Sequence, residues 1–357
     1  MTPAVVLLAY ALMMSTAGSW VLARARWPHR SPRLGVATWQ AASFSVLMAT
    51  GLAGLVLLLP GSPLSAAVAR AVHACTAALD AAYASPGGNT AGVLVGVVLV
   101  GAVVRCGVLL GHDLWTARRD RRRQRRMLRL VARPDLTLDA LVLDHHAVAA
   151  YCLPGSGGKV VFTTAALSAL GTRERQAVLA HERAHLRQHH HLVLAAAHAL
   201  QRGFPGAPLL RTAAVEIGVL VEMVADDSSA RRCDRPAVAS ALQALQKLQA
   251  PSRAGLLPVS GEAPRTAPGP TSRSAPLRRV QRLLSPAQPA RGVVLVARGV
   301  VIAATLVLPF VLATAPAAAA IQAGLCPVPP GSTASAPRML GSADPPLLVS
   351  RRHVQAA

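Results

Sequence analysis

Acidic residues are scarce in this chain: 15 Asp and Glu stand against 37 Lys and Arg, a formal net charge of +22. Lysine is nearly missing as well, with only Lys159 and Lys247, so arginine carries almost all of the positive charge. Charged residues make up 15% of the 357 positions, whereas a soluble globular chain carries about 25%. With 52% hydrophobic residues and a mean hydropathy of +0.41, a purely soluble fold is not expected and wholesale disorder is excluded. The five cysteines (Cys75, Cys106, Cys152, Cys233 and Cys326) contain no CxxC pair, which excludes a disulfide framework and a cysteine zinc finger. Aromatics amount to 3%, and none interrupts the Arg-rich run 118–133. That run is therefore expected to meet lipid headgroups, and no nucleic acid is expected as a partner.

What the chain does have is apolar length. Three apolar runs fall at about 3–23, 35–59 and 85–110, and a fourth at 291–320. Each approaches the roughly 20 residues that cross a bilayer. The first run lacks a basic lead-in and carries Arg24 and Arg26 on its far side, so it reads as a retained helix and not as a signal peptide. Arg24, Arg26, Arg30 and Arg33 follow the first run, and the dense arginines of 118–133 follow the third; only Arg70 lies between the second and third. The positive-inside rule then puts the first loop and the region after residue 111 in the cytoplasm of a plasma-membrane protein. An amphipathic exterior segment is expected at 66–84.

The expected organisation is three transmembrane helices over 1–115, a cytoplasmic catalytic block over 116–250, a Pro-rich linker with a short basic helix over 251–290, a fourth span over 291–320, and a disordered extracytoplasmic tail over 321–357. Within the block, Tyr151-Cys152-Leu153 and Val160-Val161-Phe162 flank a Gly-rich stretch and predict a hairpin. Thr164 is the expected cap of a short helix. Thr172 is the expected cap of a long one running to about Arg202, since no Gly or Pro intervenes before Gly203. Further helices are expected at 209–232 and from Pro236 to about residue 250.

The long helix contains His181-Glu182-Arg183-Ala184-His185, an HExxH motif. Spacing i,i+4 puts both imidazoles on one helical face, suited to two sites on a tetrahedral Zn2+. Glu182, one step round, is placed as general base for an attacking water. With this composition, chance supplies about 0.006 such motifs per chain. The third ligand is open by spacing. His191 stands at an offset that would require the chain to turn back after His185, where Gln188 and continuing helix are expected. Glu222, in Val221-Glu222-Met223-Val224-Ala225-Asp226-Asp227, would complete a His2Glu site, with Asp226 one turn on to hold a ligand imidazole. Glu216 is a further alternative. His145, His146, Tyr151 and Arg231 are candidates to stabilise an oxyanion.

HExxH followed some 37 residues on by Glu-x-x-Ala-Asp resembles the gluzincin membrane peptidases. The order Tyr151-Cys152-Leu153-Pro154-Gly155, Val160-Val161-Phe162-Thr163-Thr164, Ala177-Val178-Leu179-Ala180-His181-Glu182 looks most like the BlaR/MecR-type family, with the HtpX/Ste24-type family as a relative. Arg33-Leu34-Gly35 and Trp39-Gln40 look like its actinobacterial members. The resemblance implies a mainly α, multi-span membrane protein with a zincin-like α+β metallopeptidase domain. It implies zinc on His181, His185 and Glu222, Glu182 as catalytic base, and a substrate strand antiparallel to the hairpin near Tyr151 or Val160. It also implies cleavage of a cytoplasmic or membrane protein, a transcriptional repressor among the candidate substrates. No Ser-x-x-Lys pattern follows the last apolar run, so the penicillin-sensor domain of antibiotic-sensing members is not expected. A membrane quality-control protease and a non-catalytic scaffold keeping the same fold are the competing expectations.

Overall fold

The computed structural model describes residues 3–58, 89–155, 157–252, 270–285 and 292–322. The expected exterior segment at 66–84 and nearly all of the expected tail lie outside the described residues. Helix α1 (Pro3–Met13) passes through a π-helical turn at Met14–Gly18 into α2 (Ser19–Arg24), making one rod. A single turn, α3 (Trp27–Arg30), leads into α4 (Pro32–Leu58). Helix α5 (Asn89–Val131) then runs without a break for 43 residues, from the third apolar run through the arginine run. The expected division at 115/116 therefore falls inside one helix.

Four strands follow: β1 (Ala132–Asp135), β2 (Ala140–Leu143), β3 (Ala150–Leu153) and β4 (Lys159–Thr163). Their order in the sheet is β1-β2-β4-β3. Strands β3 and β4 form the expected hairpin, with Tyr151 opposite Val161 and Cys152 opposite Val160. Strand β2 runs parallel to β4 on its other side. Five helices come next: α6 (Thr164–Ala169), α7 (Thr172–Arg187), α8 (His190–Gly203), α9 (Pro208–Ser229) and α10 (Arg235–Ser252). Finally come α11 (Pro270–Leu284) and α12 (Gly292–Gln322). The described structure is mainly helical with one small sheet.

The caps shift by one residue from their expected places. Thr163, not Thr164, caps α6 by accepting from the Ala166 amide at 3.2 Å. Gly171, not Thr172, precedes α7, where Glu174 accepts from the Gly171 amide at 3.0 Å and leaves the first turn with an acid at the positive end of the helix dipole. The long helix expected to reach Arg202 does not exist. The chain turns at His189, which sits in the left-handed region at φ 51°, and restarts as α8.

Two cores result. One packs Phe162 and Val160 of the sheet against Ala177 and Val178 of α7, Val238 of α10 and Leu283 of α11. The other packs Ile217, Leu220 and Met223 of α9 against Leu7 of α1 and Trp39 of α4. So α9 is shared between the block carrying HExxH and the N-terminal apolar helices. The helices Pro3–Arg24, Pro32–Leu58, Thr90–Val131 and Gly292–Ala319 are long and apolar enough to cross a membrane. Leu94 and Val98 on α5, and Val293 and Val296 on α12, point outward without protein cover, as lipid-facing residues would.

Helices α4 and α5 cross on glycine. A Cβ added to Gly96 would lie 2.9 Å from the Gly54 carbonyl oxygen, and one added to Gly54 would lie 2.9 Å from Leu99. Small residues at such a crossing let two backbones approach. Gly96→Leu is therefore expected to pry α4 from α5 and lower the thermal unfolding midpoint of the full chain in detergent. Gly101→Leu on the same helix, where an added Cβ meets nothing within 4 Å, should change it little.

Candidate metal centre

The two HExxH histidines lie one turn apart on α7, and Glu222 comes to them from α9. The two helices are pinned by Ser229 Oγ, which donates to the Ala177 carbonyl at 2.7 Å, and by Gln188 Nε2, which donates to Ser228 Oγ at 2.8 Å. That register brings His181 Nε2 within 3.1 Å of His185 Nε2 and 3.5 Å of Glu222 Oε2. His185 Nε2 lies 3.5 Å from Glu222 Oε1. Tetrahedral ligands at zinc distances stand roughly 3.3–3.6 Å apart, so the three donors fit a single small cation.

Both rings are held from behind. Asp226 Oδ1 lies 3.1 Å from His181 Nδ1, which leaves His181 Nε2 facing the other donors. His190, placed by the turn at His189, sets its Nδ1 3.1 Å from His185 Nδ1. His190 is buried and braces His185. His191 is not among the three converging donors, and Glu216 instead lies 3.5 Å from His29.

Charge is arranged to suit a cation. Burial pushes His185 down to about 4, keeping it neutral and able to donate a lone pair. Burial opposes charge on His181 too, but hydrogen bonds to Asp226 and Glu222 outweigh it and push His181 up to about 10. The carboxylates that hold a proton there would equally hold a metal. Burial also opposes ionisation of Glu222, yet His181 and Arg279 overcome it and hold its carboxyl below the usual range.

Arg279, on α11, was not singled out from sequence. Its Nε and Nη2 donate to the two oxygens of Asp226 at 2.7 Å each, and its Nη1 lies 3.0 Å from Glu222 Oε2. Three residues on, Arg282 makes the same fork with Asp227 at 2.8 and 2.7 Å. The adjacent acids Asp226-Asp227 facing arginines at i and i+3 are the signal that sequence offered. Among the proposed oxyanion groups, His145 Nδ1 accepts from the Ala147 amide at 3.0 Å and Arg231 donates to Ser228 at 3.0 Å. The cation that reaches the centre is Arg279.

Glu182 is half-buried on the α7 face toward β3. Burial raises its pKa, and Cys152 of β3 stands beside its carboxylate. Burial, with the Glu182 charge beside it, pushes this thiol up to about 12. Maleimide at neutral pH is therefore expected to leave Cys152 unmodified in the native chain and to label it after unfolding, as read by peptide mass mapping. Strand β3 is an outer strand of the sheet and Tyr151 lies on it, whereas Val160 lies on β4, which pairs with β2 on one side and β3 on the other. Of the two strand candidates, Tyr151 lies on the strand with the free edge.

Residues 117–216 match the family model of peptidase family M48. The M48 family consists of metallopeptidases, which supports a peptidase role for this region. The M48 match runs from the arginine-rich half of α5 through the sheet and both HExxH histidines, and ends before Glu222. No curated protein and no solved structure matches the chain.

Proposed function

We propose that the protein is an integral-membrane, zinc-dependent endopeptidase with its catalytic block on the cytoplasmic side. The observation that carries this reading is the convergence of His181, His185 and Glu222 beside the half-buried Glu182, within 4.8 Å for the three donor atoms. A divalent ion held by these three would supply Lewis acidity to a water and to the scissile carbonyl. The chain's own residues supply the rest. An extended peptide adds to the free edge of β3, where main-chain hydrogen bonds align it beside Tyr151. The β3 edge passes Glu182 at Cys152, so the aligned peptide is delivered to the carboxylate. Glu182 takes a proton from the attacking water and returns it to the leaving amine nitrogen; its burial keeps its pKa raised, nearer the range suited to such exchange. Asp226 and His190 hold the two imidazoles in orientation. Arg279 keeps Glu222 and Asp226 ionised.

Within the metallopeptidases, the BlaR/MecR-type resemblance favours a regulatory cut of a cytoplasmic or membrane protein, a repressor being one such substrate. The membrane placement is supported by the four apolar helices and their uncovered faces. The test uses the full chain in lipid nanodiscs with an unfolded protein substrate. Chelation should abolish cleavage, zinc should restore it, and bound zinc should approach one per chain. Cleavage that continues after complete metal removal would sink the reading.

A further inference from the structure

A cavity bordered by Asp227 lies away from the three donors of the candidate metal centre, none of which lines it. It has a volume of about 810 Å3 and is walled by residues 23–30, by α9 at Met223 and Asp227, and by α11. Six arginines line it: Arg24, Arg26, Arg30, Arg235, Arg278 and Arg282. Asp227 is the only carboxylate in its lining, and the Arg282 fork already engages it.

Two of these arginines build the wall. Arg282 Nε donates to the His29 carbonyl at 2.8 Å, tying α11 to the link between the first two apolar helices. Arg235 donates to the carbonyls of Leu283 and Arg282 at 3.0 Å each. Arg24, Arg26 and Arg30 remain on the other side, and no carboxylate of the described residues pairs with them. Arg24 lies over the Trp20 ring at 4.1 Å. Gathering this much like charge around one concavity is unfavourable without a counter-anion, and guanidinium forks match phosphate oxygens two at a time.

The position of the cavity narrows the ligand. Its floor is the link from the end of Pro3–Arg24 to the start of Pro32–Leu58, two of the membrane-crossing candidates. The start of α12, a third candidate, comes to the same level, where Arg298 lies 4.5 Å over the Trp27 ring. On the proposed membrane placement, this is the headgroup layer of the cytoplasmic leaflet, where acidic lipids concentrate. The volume exceeds what a bare ion needs and falls in the range of organic ligands, about 300–1,000 Å3.

We propose that this cavity is a binding site for a phosphate-bearing anion, with the headgroup of an acidic phospholipid as the source the geometry favours over free phosphate. An anion there bridges residues 24–30 to α11, the helix that delivers Arg279 to the metal centre. The proposal does not require the peptidase reading to hold, because its test reads binding alone.

The full chain in neutral detergent is titrated in parallel with phosphatidylglycerol, with phosphatidylcholine and with inorganic phosphate. Bound molecules are counted by native mass spectrometry, and the phosphate arm is also followed by thermal shift. Saturable phosphatidylglycerol binding is expected, with phosphatidylcholine well behind. The double variant Arg26→Ala/Arg30→Ala should weaken it about tenfold or more. The charge-matched Arg173→Ala/Lys247→Ala, two exposed positions on α7 and α10 outside the cavity and outside the arginine run of α5, should not. If the double variant fails to unfold cooperatively, Arg30→Ala alone is read against Arg173→Ala. Saturable binding of inorganic phosphate with the same dependence, and none of phosphatidylglycerol, would support the site and assign it to a soluble phosphate. Equal loss in the cavity and control variants, or no saturable binding of either anion, overturns the proposal.

Discussion

Glu182→Gln is expected to lower peptide hydrolysis about 10²–10⁴-fold, the span that positioned proton transfer contributes, while leaving zinc content unchanged. The amide keeps the volume of the carboxylate, so α7 and the edge of β3 should stay in place. It cannot take a proton from the attacking water. Parallel measurement of metal per chain and of cleavage rate separates this role from a ligand role: His185→Ala should lose both together. Full activity in Glu182→Gln would remove Glu182 from the reaction while leaving the metal site standing.

Asp226→Ala carries the second large effect, and it acts in two ways. Asp226 is 1% exposed and holds Arg279, itself 13% exposed, through two 2.7 Å bonds. Its removal strands a buried guanidinium. Glu222 still accepts from Arg279, so the loss should sit near the lower end of such costs, about 3 kcal/mol in unfolding free energy. The same change frees the His181 ring, and zinc affinity should fall about 10–100-fold. Competition with a metal-sensitive dye measures the affinity, and chemical denaturation of the zinc-loaded and metal-stripped chain measures the stability. If affinity falls and metal-stripped stability does not, the Arg279 fork contributes nothing to the fold. If stability falls alone, Asp226 does not orient His181.

The sequence carried the local parts of this site and missed the distant ones for identifiable reasons. His181 and His185 are readable because one helical turn sets their spacing, and Glu222 because an acid in the apolar run of α9 calls for a partner. The end of α7 was not readable. No Gly or Pro marks Gln188-His189, and the break rests on one residue in the left-handed region, so the brace from His190 went unseen. Strands β1 and β2 span four residues each, and β1, Ala-Arg-Pro-Asp, carries proline and two charges; only pairing with neighbours makes it a strand. Arg279 lies beyond the Pro-rich segment, in a helix whose arginines read as a basic surface until Asp226 and Asp227 are set opposite them. The membrane-length runs were plain from composition, but α9 was assigned to a separate soluble block because its apolar residues do not say which neighbour covers them.

Helix α5 has no joint where it leaves its apolar half. Its 43 residues measure about 64 Å, roughly twice the hydrocarbon thickness of a bilayer, and its last turn runs directly into β1. The stretch 112–131 is therefore a rigid arm of about 30 Å fixed to the sheet whose far edge passes Glu182. On the proposed placement, a tilt of about ten degrees, within what a thinner or thicker bilayer imposes on a span, would sweep the end of that arm through roughly 5 Å. The position of the sheet, and of α7 packed on it, relative to the apolar helices would then depend on the thickness of the surrounding lipid.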